Sequence, residues 1–319
     1  MDAWIKLIGG GILLYLMPLS LAGFGDLVGE RSGLLCMCIE GTMVTGAFFG
    51  VLMIRLFSET MNIWLLLFLA LAMAMFSGMI IGLIHAFAAI HLKADQNIAA
   101  TSINTFTPAL TMLISKSIFG TDNFTYNSSM FIIPKVPVLG DIPILGPLLF
   151  RGCYATTFIG AVVLVLIWFM LYKTRFGLQL RSTGENPQAS DSVGINVYKM
   201  RYIAMMICGA MAGMAGFTYI LTTSYCFMGS VYGYGFLALS IVSLGQWKPS
   251  GIIMGALLFG SIGVFASSYS VIPFIKDLPI PSAFYLMLPY IITLIVVALT
   301  PNKFNAPAVC GEPYDKGKR

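Results

Sequence analysis

Two polar side chains lie in otherwise apolar parts of the chain and are of a type that could act on a solute. Glu40 lies in the segment CIEGTMVTG, and Asn104 lies close to Ser102, Thr105 and Thr107. An ionisable side chain within a membrane span is costly, so it is either functional or paired with a structural partner. We predict that Glu40 and Asn104 line a pathway for a polar, uncharged solute. The alternative is that Glu40 only hydrogen-bonds to Thr42, to Thr45 or to a neighbouring helix, and that Asn104 only makes interhelical hydrogen bonds.

The sequence contains no motif for catalysis or for energy supply. There is no GxxxxGK(S/T) motif, so the chain does not bind ATP through a P-loop, and HExxH and GxSxG motifs are also missing. His85 and His91 are six residues apart, which is not the i, i+4 spacing of a metal-binding pair on a helix. The six cysteines form no CxxC pair. We therefore expect no enzyme activity, no metal and no cofactor bound by this chain.

The composition predicts an integral membrane protein. Hydrophobic residues make up 58% of the chain and charged residues only 10%, whereas soluble domains carry about 25% charged residues. Eight apolar segments are long enough to span a bilayer: 3–23, 33–57, 62–91, 97–119, 150–172, 201–223, 250–269 and 282–300. The segment 234–246 is apolar but short. We predict an all-α fold, a polytopic transmembrane helical bundle of about 8–10 spans with interrupted helices, which forms one domain over 1–319.

The placement of charge predicts the orientation. Five of the 18 Lys and Arg residues lie in 172–202, and basic loops remain on the cytoplasmic side of a membrane. We predict that 173–200 and the tail 301–319 are cytoplasmic and that the Pro-rich loop 120–149 is extracellular. Counting 234–246 as a crossing gives about nine spans and an outside N-terminus. Because the basic residues form no stripe, we expect no nucleic-acid partner.

The basic loop also contains a signal for a short helix. Asn is a preferred N-cap and Pro is favoured at the first helical position, so Asn186 and Pro187 predict a helix start. A small helix at the inner face of a membrane, on a chain without an energy-using motif, indicates a docking surface for a separate energy-supplying protein.

Glycines recur four residues apart within the predicted spans. The pairs are Gly46 with Gly50, Gly78 with Gly82, Gly209 with Gly213, and Gly251 with Gly255. Small residues at this spacing let helices approach closely in lipid. The pattern predicts a tightly packed bundle and carries no information on the solute.

Several segments together resemble one known family. The segment PLSLAGFGDLVGERSGLLCMCIEGTMVTGAF at 18–48 resembles the N-terminal signature of bacterial ABC importer permeases for nucleosides and simple sugars. That family includes ribose and branched-chain amino-acid permeases. The resemblance continues, in order, through 135–150, 174–202, 235–249, 288–299 and 306–319. Within the family, the chain is most similar to the shorter of two nucleoside-uptake permeases that pair as a heterodimer.

This resemblance implies a permease subunit of an ATP-driven importer in the bacterial cell membrane. It implies a second permease subunit that completes the pathway, an ATPase subunit that binds ATP, an extracytoplasmic solute-binding lipoprotein, and surrounding membrane lipid. The family's contact with the ATPase carries over to four residues of the basic loop: Gly184, Glu185, Asn186 and Pro187.

Two departures from the family pattern bear on the predicted pathway. The usual VVNIGLEG reads LLCMCIEG here, which places Cys36 where Asn is common and Cys38 where Gly is common. The usual Gly-Arg-Gly-Phe run reads GYGF at 233–236, so we transfer no role in binding a charged substrate. We predict that Phe236 stacks against a base or sugar ring, and plain packing is the alternative.

Two other classes of protein remain open from the residues alone. A stand-alone secondary transporter or channel for a small polar solute would need its own coupling ions, which carbonyls and hydroxyls can bind. A membrane-embedded enzyme would need a nucleophile–base or metal constellation, and the sequence shows no such pattern.

Overall fold

The structure, a computed structural model, describes residues 3–135, 151–269, 281–299 and 306–315. These residues form eleven helices: α1 (Ala3–Glu30), α2 (Ile39–Phe57), α3 (Ile63–Ile90), α4 (Gln96–Phe119), α5 (Ala155–Lys173), α6 (Arg175–Glu185), α7 (Pro187–Ser192), α8 (Val197–Thr223), α9 (Tyr234–Leu244), α10 (Pro249–Ser267) and α11 (Ser282–Leu299). They also form four short strands: β1 (Phe124–Thr125), β2 (Ile132–Lys135), β3 (Arg151–Tyr154) and β4 (Cys226–Phe227). The predicted helical fold class is confirmed.

Seven of the described helices are long and apolar enough to cross a membrane, judged by length and composition: α1, α2, α3, α4, α5, α8 and α10. Helices α9 and α11 are apolar but shorter. The 11 residues of α9 rise only about 16 Å at about 1.5 Å per residue. A hydrocarbon core is about 30 Å thick, so α9 is a half-length helix, as expected of an interrupted span.

Helix α8 lies at the centre of the bundle. It packs against α1, α2 and α3, and 19 of its 27 residues are buried. Its contacts with α2 and α3 depend on glycine, because a Cβ at Gly46 would overlap the backbone of Gly213, and a Cβ at Gly78 would overlap that of Gly209. The predicted close packing at these glycines is confirmed.

The boundary between α1 and α2 differs from the sequence-based expectation. The first span was predicted to end at residue 23, but α1 continues to Glu30. Its last turns include Leu27 and Val28, which are fully buried, so helical packing extends beyond the predicted end of the span. Residues 31–38 form turns and irregular backbone instead, and α2 therefore begins six residues later than the predicted span 33–57.

The described part of the loop 120–149 contains no long helix, as its prolines predict. Strand β1 pairs antiparallel with β4, and β2 pairs antiparallel with β3. These pairings fasten the loop to the ends of α5 and α8. Residues 136–150, together with 301–305 and 316–319 of the predicted tail, lie outside the described residues.

Candidate functional site

Glu40 lies at a junction between the first turns of α2 and α9. Its Oε1 accepts a hydrogen bond of 2.8 Å from the N–H of Gly233, and its Oε2 accepts one of 2.7 Å from the N–H of Gly235. The start of a helix has unpaired N–H groups and a partial positive charge. The buried carboxylate of Glu40 therefore satisfies the start of α9. Glu40 also belongs to the first turn of α2. Its negative charge therefore interacts favourably with the partial positive charge at the start of both helices.

Asn104 fastens α4 to the same junction. Its Oδ1 accepts a hydrogen bond of 2.8 Å from the N–H of Gly41, and its Nδ2 donates one of 2.8 Å to the carbonyl of Met37. These backbone groups lie on either side of the residue at which α2 begins. Exposed hydroxyls of α4 donate back to carbonyls of their own helix: Thr101, Ser102 and Thr105. Glu40 and Asn104 thus make interhelical hydrogen bonds, and a role for either in a pathway stays a prediction.

Phe236 lies in the first turn of α9, directly after Gly235, and its ring is half-exposed. The structure therefore brings the three predicted pathway residues together at one place, which we call the α2–α9 junction: Glu40, Asn104 and Phe236. Stacking of Phe236 on a solute stays a prediction, but the exposed ring is in a position to contact one.

The predicted helix start at Asn186 and Pro187 is confirmed. The Oδ1 of Asn186 accepts a hydrogen bond of 3.0 Å from the N–H of Ala189, and Pro187 is the first residue of α7. The preceding helix, α6, was not anticipated. Thr174 caps it, since its Oγ1 accepts a hydrogen bond of 3.2 Å from the N–H of Gly177. This cap is the signal that could have revealed α6 in the sequence.

Helices α6 and α7 form a hairpin with an apolar groove on its surface. Leu178 and Val193 line the groove and are 63% and 75% exposed. Large apolar side chains that are exposed together on a polar segment mark an interaction site. We call this surface the α6–α7 hairpin, and its exposed groove is suited to bind another protein.

The base of the hairpin contacts the turn between α1 and α2. Gly184 packs so closely on this turn that a Cβ would overlap the carbonyl oxygen of Arg31. Glu185 pairs with Arg31 at 3.5 Å, and the Nη2 of Arg31 donates a hydrogen bond of 3.0 Å to the carbonyl of Trp247. Trp247 lies in the turn between α9 and α10. These contacts therefore link the hairpin to two turns, the one between α1 and α2 and the one between α9 and α10.

The tail 306–315 crosses the same surface. The N–H of Val309 donates to the carbonyl of Gly184, and the N–H of Gly311 donates to that of Gly33, both at 3.2 Å. Asp315 pairs with Lys93 at 3.0 Å, which joins the tail to the segment between α3 and α4. The tail is therefore a strap across the base of the hairpin.

The strap also shields a thiol. Burial raises the pKa of Cys310 to about 12, compared with about 8.5 for a free thiol. Burial of Cys310 therefore disfavours its thiolate, which is the reactive form of a cysteine.

Three buried charged side chains near the hairpin were missed by sequence reasoning: Asp26, Glu30 and Arg201. Glu30 accepts a hydrogen bond from the Nε1 of Trp247, and Arg201 donates one of 3.3 Å to the carbonyl of Glu312 in the tail. Asp26 is buried one helical turn before Glu30. Asp26 and Glu30 are four residues apart in an apolar helix, and this spacing was the available signal of a buried polar cluster. Charged side chains are almost never fully buried without a partner, so such a pair indicates polar partners nearby.

Comparison with known proteins identifies the family. Residues 10–297 match the family described as the permease component of the branched-chain amino acid transport system. The guanosine ABC transporter permease protein NupQ of Bacillus subtilis (strain 168) is 40% identical over 99% of this chain and 98% of its own length. The nucleoside ABC transporter permease protein NupC of Lactococcus lactis subsp. cremoris (strain MG1363) is 36% identical over 98% of both chains.

A further relative matches less of the chain. The guanosine ABC transporter permease protein NupP of Bacillus subtilis (strain 168) is 29% identical over 48% of this chain and 42% of its own length. Family match, full-length relatives and apolar helices agree with one another. The chain therefore belongs to this permease family, and it is a multi-pass membrane protein that serves as the permease subunit of an ABC importer and not as an enzyme.

Proposed function

We propose that this chain carries nucleosides across the bacterial cell membrane as one of two different permease subunits of an ATP-driven importer. The observation that carries the proposal is its 40% identity, over nearly the full length of both chains, to a guanosine permease. A nucleoside permease from a second organism matches over the same extent. One organism also contains two guanosine permeases, of which only one matches the whole of this chain, and this supports a heterodimer.

In this proposal the α6–α7 hairpin is the cytoplasmic contact for the ATPase subunit. Its basic surroundings support a position on the inner side of the membrane, and its exposed groove offers an apolar contact. ATP is bound and hydrolysed by the partner, so this chain performs no bond chemistry. Movement of the hairpin would pass through Glu185 and Arg31 to Trp247, which follows α9. The described loop residues 120–135 would then face outwards, towards a solute-binding lipoprotein.

The α2–α9 junction is the proposed point of control along the pathway. Interrupted helices that meet within a membrane protein are a feature of transporter binding sites. Here the half-length helix α9 begins at the junction and carries the exposed ring of Phe236 beside Glu40. A shift of α9 would therefore move Phe236 relative to α4, whose hydroxyl-bearing face adjoins the same junction.

The test is uptake of labelled guanosine into proteoliposomes that contain this chain, its second permease, the ATPase and the lipoprotein. We expect uptake that needs ATP and every component, and competition by other nucleosides but not by ribose. Uptake by this chain alone, driven by an ion gradient, would instead establish the stand-alone secondary transporter.

The hairpin is tested in the same assay with Leu178→Asp. A charge at this exposed position should reduce ATP-dependent uptake at least about ten-fold, the effect of about 1.4 kcal/mol of lost docking energy, without loss of folded permease. The control is Thr60→Asp, which adds the same charge to an exposed position in the turn after α2, a turn that the proposal assigns to no partner. Equal uptake by the two variants would contradict the hairpin as the docking surface.

A further inference from the structure

A cavity of about 420 Å³ lies between α1, α8, α9, α10 and α11. This volume falls within the range of about 300–1,000 Å³ that is typical of small-molecule sites. Five tyrosines contribute to its wall: Tyr15, Tyr219, Tyr232, Tyr234 and Tyr290. The cavity is separate from the groove of the hairpin and is not needed for docking an ATPase.

The cavity lies far from the α6–α7 hairpin. Helix α8 begins at Val197, just after the hairpin, and Thr223 and Ser224 at its other end line the cavity. At about 1.5 Å per residue this helix is about 40 Å long, which exceeds the hydrocarbon thickness of about 30 Å. An occupant would therefore enter from the side of the membrane opposite to the ATPase.

The tyrosine rings suit a flat aromatic ligand. The rings of Tyr219 and Tyr234 lie 4.1 Å apart between centroids with 30° between their planes, and the Tyr15 ring lies 5.9 Å from that of Tyr234. The buried rings of Tyr219 and Tyr234 and the partly buried ring of Tyr15 form an inner wall. Tyr232 and Tyr290 are exposed and lie at the mouth. Aromatic side chains bind nucleic-acid bases by stacking without regard to base identity.

The polar groups of the cavity suit hydrogen-bond donors. The hydroxyls of Thr223, Ser224 and Ser267 donate to backbone carbonyls at 2.7, 2.7 and 3.0 Å. Their oxygens therefore keep lone pairs that can accept hydrogen bonds. The described lining contains no Asp, Glu, Lys or Arg. A neutral ring with N–H and O–H donors fits this chemistry, whereas a phosphate group or a zwitterionic amino acid would remain unpaired.

The mouth of the cavity adjoins the α2–α9 junction. The Tyr290 hydroxyl donates to the carbonyl of Tyr232, and it would lie 3.2 Å from a Cβ placed on Gly233. Gly233 is the residue whose N–H donates to Glu40. A ligand between the two mouth rings would therefore press on the backbone that begins α9.

We propose that this cavity is a subsite for the base of a neutral nucleoside within this subunit, occupied before the α2–α9 junction opens. The proposal rests on the proposed function, since it takes a nucleoside as the solute. It adds a location and a chemical preference, because base stacking and the uncharged lining would select nucleosides over nucleotides and over amino acids.

The experiment compares ring loss at the mouth with ring loss elsewhere. Tyr232→Leu removes an aromatic ring from the cavity, Tyr232→Phe keeps it, and Tyr225→Leu removes a 72% exposed ring that is not part of the lining. In the reconstituted importer, Tyr232→Leu should raise the KM for guanosine about ten-fold, the effect of losing one stacked base. The other two variants should stay within about two-fold of the native KM. Co-purification of the Tyr232→Leu permease with the second permease and the ATPase, in the native ratio, shows that this variant still assembles.

A second readout does not depend on transport. Photolysis of 8-azidoguanosine with the full complex should label peptides that contain Tyr232 or Tyr290, and excess guanosine but not guanosine monophosphate should prevent it. Equal KM values for the two leucine variants, or labelling confined to other peptides, would overturn the subsite and leave nucleoside transport intact. A native complex that transports no nucleoside would overturn the proposed function and this inference together.

Discussion

Replacement of Glu40 separates a structural role from a role in the pathway. The carboxylate accepts two hydrogen bonds, from Gly233 and Gly235, and hydrogen bonds to a charged group contribute about 1.5–3 kcal/mol each. Glu40→Gln keeps one acceptor oxygen, but its amide NH₂ group opposes the second N–H. We therefore expect the Gln variant to lose about 1.5–3 kcal/mol and Glu40→Ala to lose about twice that amount.

The assay is the thermal stability of the detergent-purified permease. For large domains, 1 kcal/mol corresponds to about 2–4 °C in Tm, so Glu40→Gln should lower the Tm by about 3–12 °C, and Glu40→Ala by more. The control is Glu59→Gln, because Glu59 is exposed in the turn after α2 and its replacement should leave the Tm unchanged.

Transport by the same variants completes the test. If Glu40 holds the junction together, uptake should fall in the same order as the Tm, with the Gln variant between native and Ala. A Gln variant with native Tm but no uptake would refute this reasoning, because the carboxylate would then act on the solute. The Tm and the uptake of the Glu40 variants together distinguish a structural role of Glu40 from a role in the pathway.

Two further predictions concern the tail and the helix core. Lys93→Asp should break the ion pair with Asp315 and increase the rate of maleimide labelling at Cys310 by up to about five-fold, because exposed ion pairs contribute at most about 1 kcal/mol. Adding Asp315→Lys should restore slow labelling, and a double variant that labels as fast as the single one would contradict the strap. Gly46→Ala should strongly lower the Tm, because its Cβ would meet α8 backbone, whereas Gly160→Ala would meet only a side chain at 3.3 Å and should be tolerated. Equal Tm values for the two alanine variants would show that α2 and α8 can separate at little cost.

The features that sequence predicted well depend on local physics. Apolar length alone revealed the long spans, and the cap formed by Asn186 and Pro187 revealed the start of α7 within one residue. The glycine spacing revealed close contacts because only glycine lets helix backbones meet. Each of these signals is contained within a few consecutive residues, so no knowledge of the partner helix was needed.

The features that sequence did not predict depend on contacts between distant residues. The partners of Glu40 lie 193 and 195 residues further along the chain, and no periodicity links such positions. The predicted end of α1 was wrong because the last turns of this helix are buried against α8. The charged residues near Glu30 are typical of a solvent-exposed turn, so the sequence did not indicate this burial. The docking of the tail was hidden for the same reason, since its hydrogen bonds use backbone groups that every residue possesses.

The two ends of α9 are held with different strengths, and this difference bears on how the helix could move. At its start, two charge-assisted hydrogen bonds to the buried Glu40 contribute about 3–6 kcal/mol. Beyond its end, the link to the hairpin passes through the pair of Glu185 and Arg31, at 3.5 Å with Glu185 half-exposed, and such pairs contribute about 0–1 kcal/mol. A small displacement of the hairpin that keeps the pair of Glu185 and Arg31 intact would therefore move the end of α9, while the stronger α2–α9 junction stays in place. Helix α9 would then pivot about Glu40, and Phe236, one residue beyond the pivot, would turn more than it translates.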